Sequence, residues 1–217
     1  MVIITAGMIG VGKSTLTEIL ARELGTKAFY EPVDENPILE KYYEDPGKYG
    51  FALQLYFLNK RFRLIKKAYR DKNNILDRSI YEDALFTKIN VDKGTISQEE
   101  YDIYLDLLDN MMEELEGLPK KAPDLLVYLR ADFDVILQHI KKRGRSYELP
   151  TEENGLLKYY SDLHQRYDKW FENYDYSPKM VVDLTEVDMT KSIGEARVLE
   201  LVNAKLTEIG LIDGDSN

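Results

Sequence analysis

The 217-residue sequence contains no cysteine, only two histidines and one tryptophan, and no apolar run approaching a membrane span. Without cysteine there is no disulfide framework and no thiolate metal site. His139 and His164 lie far apart in the chain, which assigns them to helix surfaces or packing rather than to a His-based metal centre. A spanning helix needs about 20 consecutive, mostly apolar residues. Basic charge is also in deficit. Against 39 Asp and Glu stand 29 Lys and Arg, a formal net charge of −10. Nucleic acid and anionic membranes both demand a basic footprint, so neither is expected as the main partner. The glycine-rich loop described next opens at residue 7 and leaves no room ahead of it for a signal peptide, so a cytoplasmic location is expected.

Residues 7 to 14 read Gly7-Met8-Ile9-Gly10-Val11-Gly12-Lys13-Ser14, a match to G-x-x-x-x-G-K-[ST], with Thr15 next. Val2 to Ala6 enters this loop as a strand would, and Ser14 to Leu24 leaves it as an amphipathic helix. Glycine lets backbone N–H groups turn inward around a polyphosphate, the helix start adds partial positive charge, and Lys13 adds a full one. The Ser14 hydroxyl is the expected protein contact to Mg²⁺.

Strand and helix signals then alternate along the chain. Lys27 to Tyr30 reads as a second strand, Pro37 to Tyr43 as a short helix stopped before Asp45-Pro46-Gly47, and Phe51 to Tyr69 as a long amphipathic helix. Asn74 to Asp77 is the third strand, with helix from about Ser79, and Ser97-Gln98-Glu99-Glu100 is a capping box opening another helix. Asp124 to Ala131 is a continuous apolar fourth strand, as burial on both faces requires. Helix follows through Lys141, then a basic loop, a helix from about Glu153 to Phe171, strand five over Met180 to Leu184, and a last helix from Lys191 to Ile209. The pattern implies one domain over residues 1–212, a doubly wound α/β fold with a five-stranded parallel sheet built on the P-loop, and a frayed tail over 213–217.

Ligands of such sheets sit beyond the carboxyl ends of the strands. Strand two ends at Glu31 and strand three at Asp77-Arg78-Ser79. One carboxylate there can accept a hydroxyl proton, another can hold Mg²⁺, and the arginine can stabilise a transferring phosphoryl group. The alternatives are a solvated acid at Glu31 and a structural ion pair with a helix cap at Ser79. Arg143 and Arg145 flank Gly144 and suit a lid over phosphates, whereas Lys141 and Lys142 suit the dipole of a helix end. On the long helix, Gln54, Phe57 and Arg61 share one stripe. An amide, a ring and a guanidinium together can read a planar heterocycle, but an ordinary helix flank has the same pattern. The long helix and the one from Ser97 to Leu115, with Met111 and Met112, carry more apolar surface than one sheet face covers. A homodimer through a four-helix bundle would bury it.

The phosphate loop, Glu31-Pro32-Val33, Tyr43-x-Asp45-Pro46, Gln54 with Tyr56, Asp77-Arg78-Ser79, Arg143-x-Arg145 with Glu148, and Leu157-Lys158-Tyr159 to Trp170 occur in this order. In that ordered set the chain resembles the deoxynucleoside kinase family, above all its bacterial deoxyadenosine/deoxyguanosine kinase branch. The resemblance implies ATP as donor with Mg²⁺, a deoxynucleoside acceptor with purines favoured, and a homodimer. It also implies roles: Glu31 as base on the 5′-hydroxyl with Arg78 beside it, Asp77 near Mg²⁺, Gln54 on the base edge, Tyr43 and Glu148 on the 3′-hydroxyl, and Arg143 and Arg145 on donor phosphates. Purine- and cytosine-accepting members carry an Arg–Asp pair at the positions of Arg61 and Asp83, and this chain has both. It departs from the family at Asp77, where Glu is commoner, and at Tyr147, where some members have a second acid. A nucleoside monophosphate kinase would need cations for its acceptor phosphate, whereas residues 31–35 are acidic. A regulatory GTPase would carry D-x-x-G and N-K-x-D; no glycine here has Asp three positions before it, and Asn59-Lys60 runs on into Arg61-Phe62.

Overall fold

The computed structural model describes residues 1–33, 35–68, 73–116 and 122–213. Tyr69 at the expected end of the long helix, the side chain of Leu115 and the tail beyond Asp213 lie outside the described residues. Five strands, β1 (Val2–Gly7), β2 (Lys27–Phe29), β3 (Asn74–Asp77), β4 (Leu125–Arg130) and β5 (Lys179–Asp183), form one all-parallel sheet in the order β2-β3-β1-β4-β5. The central register pairs Ile4 with Leu76 on one side and Thr5 with Val127 on the other. The connections are α1 (Lys13–Glu23), α2 (Leu39–Glu44), α3 (Pro46–Ala68), α4 (Asp83–Asp92), α5 (Gln98–Glu116), α6 (Phe133–Arg143) and α7 (Leu156–Asn173), with α8 (Ser192–Glu208) last.

The alternation of β1 explains the two layers. Val2 and Ile4, with Leu76, pack on Leu58, Phe62 and Ile65 of α3 and Tyr104 of α5. Ile3 and Ile75 face the other way, onto Leu16 and Leu20 of α1, Leu163 of α7 and Val202 of α8. Both faces are therefore covered, and β1 and β3 are buried along their whole length. The chain runs to β2 and β3 on one side of β1 and to β4 and β5 on the other. The carboxyl end of β1 is thus the switch point of the sheet, and the glycine-rich loop leaves from it.

Several boundaries differ from the sequence reading, each for a local reason. Pro46 and Gly47 do not interrupt the chain before the long helix; Pro46 opens α3, at the position where a missing N–H costs nothing. The Asp45 carboxylate accepts from the Lys48 N–H at 3.1 Å and caps that start. Helix α2 begins at Leu39, not Pro37, because the Asn36 side chain takes the N–H groups of Ile38 and Leu39. Helix α7 begins at Leu156, not Glu153, because Thr151 and Asn154 exchange hydrogen bonds and Gly155, at φ 65°, turns the chain in. The capping box at Ser97 forms as read, with Ser97 N–H on Glu100 at 2.8 Å and Glu100 N–H on the Ser97 hydroxyl at 3.1 Å.

Candidate active site

The loop from Gly7 to Gly12 demands its glycines. Gly7, Gly10 and Gly12 have φ of 138°, 82° and 110°. A Cβ on Gly7 would stand 2.6 Å from the Leu129 carbonyl oxygen, and one on Gly10 would stand 2.7 Å from the Ile140 side chain. Met8 and Val11 turn into the core. No side chain caps α1 and no acid stands in its first turn, so its leading N–H groups are available to an anion. Lys13 is buried, and its ammonium donates to the Met8 carbonyl at 2.8 Å. Burial, and then the charge of Arg78, push its pKa down to about 7. The Ser14 hydroxyl donates to Asp77 at the end of β3, whose carboxyl is raised by burial against the opposing pull of Lys13 and Ser14.

Next to this loop the chain concentrates charge. Glu31 lies between two guanidinium groups, those of Arg61 and Arg78, the latter at 3.0 Å through Nε. Burial alone would raise Glu31, but Arg61 and Arg78 outweigh it and hold the carboxyl below its usual range. Arg61 also pairs with Asp83, which is buried behind it, and lies 5.1 Å over the Phe57 ring. Arg61 Nε and Asp83 Oδ2 are buried without a hydrogen-bond partner among the described residues. The sequence reading placed Arg61 beside a base edge; it is also a partner of Glu31.

Two clefts open here. The first, of about 370 Å³, is lined by the charged and polar side chains of Lys13, Ser14, Asp77, Glu31, Arg61 and Arg78 and by Gln54, Phe57 and Tyr43. Arg143, Arg145 and Glu148 line it too. Arg143 ends α6, Gly144 turns the chain at φ 74°, and the following turn over Ser146–Glu148 buries Glu148 between Arg143 and Arg145, the latter at 3.4 Å. The Tyr160 hydroxyl donates to the Glu148 carbonyl at 2.9 Å, and the Tyr147 ring lies 5.5 Å from that of Tyr43. Burial raises the Tyr43 phenol well above its ordinary value, so it is a neutral hydrogen-bonding group at pH 7. The second cleft, of about 400 Å³, adjoins the first across Gly10, Lys13, Ser14 and Arg143. Its other walls are Val11, Gly12 and Thr15, Lys142, His139 and the loop from Leu184 to Thr190.

All the sequence-derived candidates except Gly7, Met8 and Asp83 line one cleft or the other, with Ile9 in the first. Lys142 and His139, read as helix decoration, line the second cleft, and the His139 ring is 3.0 Å from the Gly10 carbonyl. The 184–190 loop carried no motif. Glu82 was also missed, although Ser79-x-x-Glu82 has capping-box spacing and forms one. As for Mg²⁺, no group of three or more His, Cys, Asp or Glu among the described residues makes a cage. Ser14 and Asp77 nevertheless offer hydroxyl and carboxylate oxygens beside the phosphate loop. That donor set fits an ion that keeps waters and takes its remaining ligands from phosphates.

A parallel sheet whose first strand feeds a phosphate loop, with an acid and an arginine at the neighbouring strand ends, defines a P-loop phosphotransferase. The chain belongs to the deoxynucleoside kinase family, whose sequence profile matches residues 3–207. It is 52% identical over 215 residues to a deoxyguanosine kinase of Lactobacillus johnsonii, covering 99% of this chain and 96% of that one. It is 48% identical over 210 residues to a deoxyadenosine kinase of Lactobacillus acidophilus, covering 96% and 98%. A deoxyadenosine kinase structure from M. mycoides with bound dATP superposes with a TM-score of 0.79 at 35% identity, covering 94% of this chain and all of that one.

Proposed function

We propose that this deoxynucleoside kinase transfers the γ-phosphoryl group of ATP to the 5′-hydroxyl of a purine deoxynucleoside. The observation that carries this reading is the position of Glu31, an ionised acid clamped by Arg61 and Arg78 where a heterocycle-sized cleft meets the phosphate loop. The similarity to deoxyguanosine and deoxyadenosine kinases supports purines as acceptors. The nucleoside base would lie against Phe57, with Gln54 and the Arg61–Asp83 pair on its polar edge. Arg61 lines the cleft with Asp83 buried behind it, so the guanidinium would be the group of this pair that meets the base, with Asp83 as its counter-ion. Tyr43 and Glu148 would hold the 3′-hydroxyl. The ATP base would occupy the second cleft, with Gly7 to Thr15 around the phosphates and Arg143 and Arg145 above them. Ser14 and Asp77 would hold Mg²⁺, which when bound neutralises phosphate charge. Glu31 then takes the hydroxyl proton as it becomes acidic, while Lys13 and Arg78 stabilise the transferring group. An assay with ATP and a panel of deoxynucleosides and deoxynucleoside monophosphates tests this. Phosphorylation of deoxyadenosine and deoxyguanosine is the expected result; activity confined to monophosphates would overturn it.

Lys13 gives the reading a pH signature. With a pKa near 7 in the free protein, its ammonium loses its proton above that pH, and bound phosphates restore it. ATP binding at pH 8 to 9 therefore takes up close to one proton, and affinity falls by roughly tenfold per pH unit there. Below pH 7 Lys13 is already charged and the dependence vanishes. Calorimetry in buffers of different ionisation enthalpy measures the uptake, which Lys13→Arg abolishes. No uptake at pH 8.5 in the unmodified protein would refute it.

The reading includes a cytoplasmic homodimer. No helix among the described residues is long and apolar enough to cross a membrane. On α5 Tyr104 is fully buried, but Leu105, Leu107, Leu108, Met111 and Met112 are only partly covered and Ile103 is 60% exposed. Paired α3 and α5 helices from two chains would cover this face. Light scattering at micromolar concentration is expected to give twice the 25.2 kDa of one chain, and Leu108→Glu a monomer. A monomeric parent protein would remove the dimer.

A further inference from the structure

Glu82 is fully buried, lines neither cleft and has no part in the chemistry above. A buried carboxylate is costly to keep unless its partners need it. Its Oε2 accepts from the Gly7 N–H at 3.2 Å and from the Tyr167 hydroxyl at 3.0 Å. Its Oε1 accepts from the Ser79 N–H at 3.1 Å and stands 3.5 Å from Arg78 Nη1. The Tyr167 hydroxyl, equally buried, accepts from that same Nη1 at 3.1 Å. One acid and one phenol from α7 therefore join the start of the phosphate loop, the turn after β3 and the guanidinium of Arg78.

Arg78 needs such a hold. Its φ is 79°, a left-handed conformation that side chains other than glycine avoid, and its own N–H is tied to the Thr5 carbonyl at 2.8 Å. Nε is committed to Glu31, Nη1 to Tyr167 and Glu82, and the Phe86 ring lies 4.8 Å from the guanidinium carbon. That leaves Nη2 as the nitrogen without a hydrogen bond among the described residues, on a side chain that lines the cleft. Glu31 cannot be the lasting counter-ion, because as the base it is neutralised during transfer. Burial opposes the charge on Arg78, yet Glu82 first and Glu31 second raise its pKa well above the ordinary value.

We propose that Glu82 and Tyr167 are positioning residues, a fixed counter-ion and tether that hold Arg78 with Nη2 free for the transferring phosphoryl group and in register with Gly7. The inference rests on the assignment of Arg78 made above. Kinetics of Glu82→Gln, Tyr167→Phe and Arg78→Lys, singly and with each of the first two combined with the third, test it, with thermal melting of every variant. Glu82→Gln is expected to lower kcat by about tenfold or more, and Tyr167→Phe by about threefold or more, with the deoxynucleoside KM within about twofold. In the Arg78→Lys background the same changes are expected to cost less than about twofold, because the group they position has gone. A residue that serves stability alone would lower the melting temperature and leave kcat unchanged. Tyr167→Phe keeps the ring and decides the matter if Glu82→Gln does not fold. A folded Tyr167→Phe with unchanged kcat, or losses that multiply undiminished in the Arg78→Lys background, would overturn the inference alone. An unchanged kcat in Arg78→Lys itself would sink the assignment of Arg78 and this inference with it.

Discussion

Glu31→Gln is expected to lower kcat by about 100-fold or more, the usual share of a general base, and to leave deoxynucleoside KM within a few-fold. Gln keeps the shape and can still accept a hydrogen bond from Arg61 or Arg78, but it cannot take a proton. The fold should tolerate the change, because each arginine keeps a second buried acid, Asp83 for Arg61 and Glu82 for Arg78. The pH profile is a second readout. Arg61 and Arg78 hold the Glu31 carboxyl below its ordinary value. Glu31 is thus ionised throughout the neutral range, and its loss of function appears only as pH falls through that lowered pKa. Its contribution to stability has the same sign, present above the unfolded pKa and lost on acidification through the folded one. The variant should therefore show low activity at every pH rather than a displaced optimum. A kcat near that of the unmodified protein would remove Glu31 from the mechanism.

The double substitution Arg61→Met with Asp83→Ala is expected to shift the ratio of kcat/KM between purine deoxynucleosides and thymidine by about 100-fold or more toward thymidine. A site built to hydrogen-bond one edge leaves costly unpaired groups against another. Both partners must go together, since a lone buried charge destabilises by about 3–5 kcal/mol. Arg61 also grips Glu31, so the double variant leaves that acid with Arg78 alone and changes kcat for every acceptor. The ratio between acceptors, not the absolute rate, is the quantity to read. An unchanged acceptor ranking would show that the pair does not read the base.

Much of this arrangement was legible in the sequence, and the reasons are local. A buried parallel strand, a glycine turn and a capping pattern each leave a mark within a few residues, so β1, the phosphate loop, β4 and the start of α5 could be placed directly. Glu31, Asp77 and Arg78 followed from one topological rule about strand ends. Their interplay did not. That Arg61 clamps Glu31 across 30 positions, or that Tyr167 reaches Arg78 across 89, depends on how α3 and α7 cross the sheet, and no spacing encodes it. Residues 184–190 wall the second cleft through loop placement alone and were invisible for the same reason. The resemblance to the family implied roles for Tyr43, Asp83 and Glu148 that periodicity could not.

The central claim is that the acceptor lies in the cleft beside Glu31 and the donor in the cleft beyond the phosphate loop. A crystal structure of the protein with deoxyguanosine and a non-hydrolysable ATP analogue tests it most directly. The account predicts the 5′-hydroxyl within hydrogen-bonding distance of Glu31, the base against Phe57 with its edge on Gln54 and Arg61, and the analogue's base among residues 184–190. A deoxynucleoside bound in the second cleft, or one whose 5′-hydroxyl points away from Glu31, would contradict it.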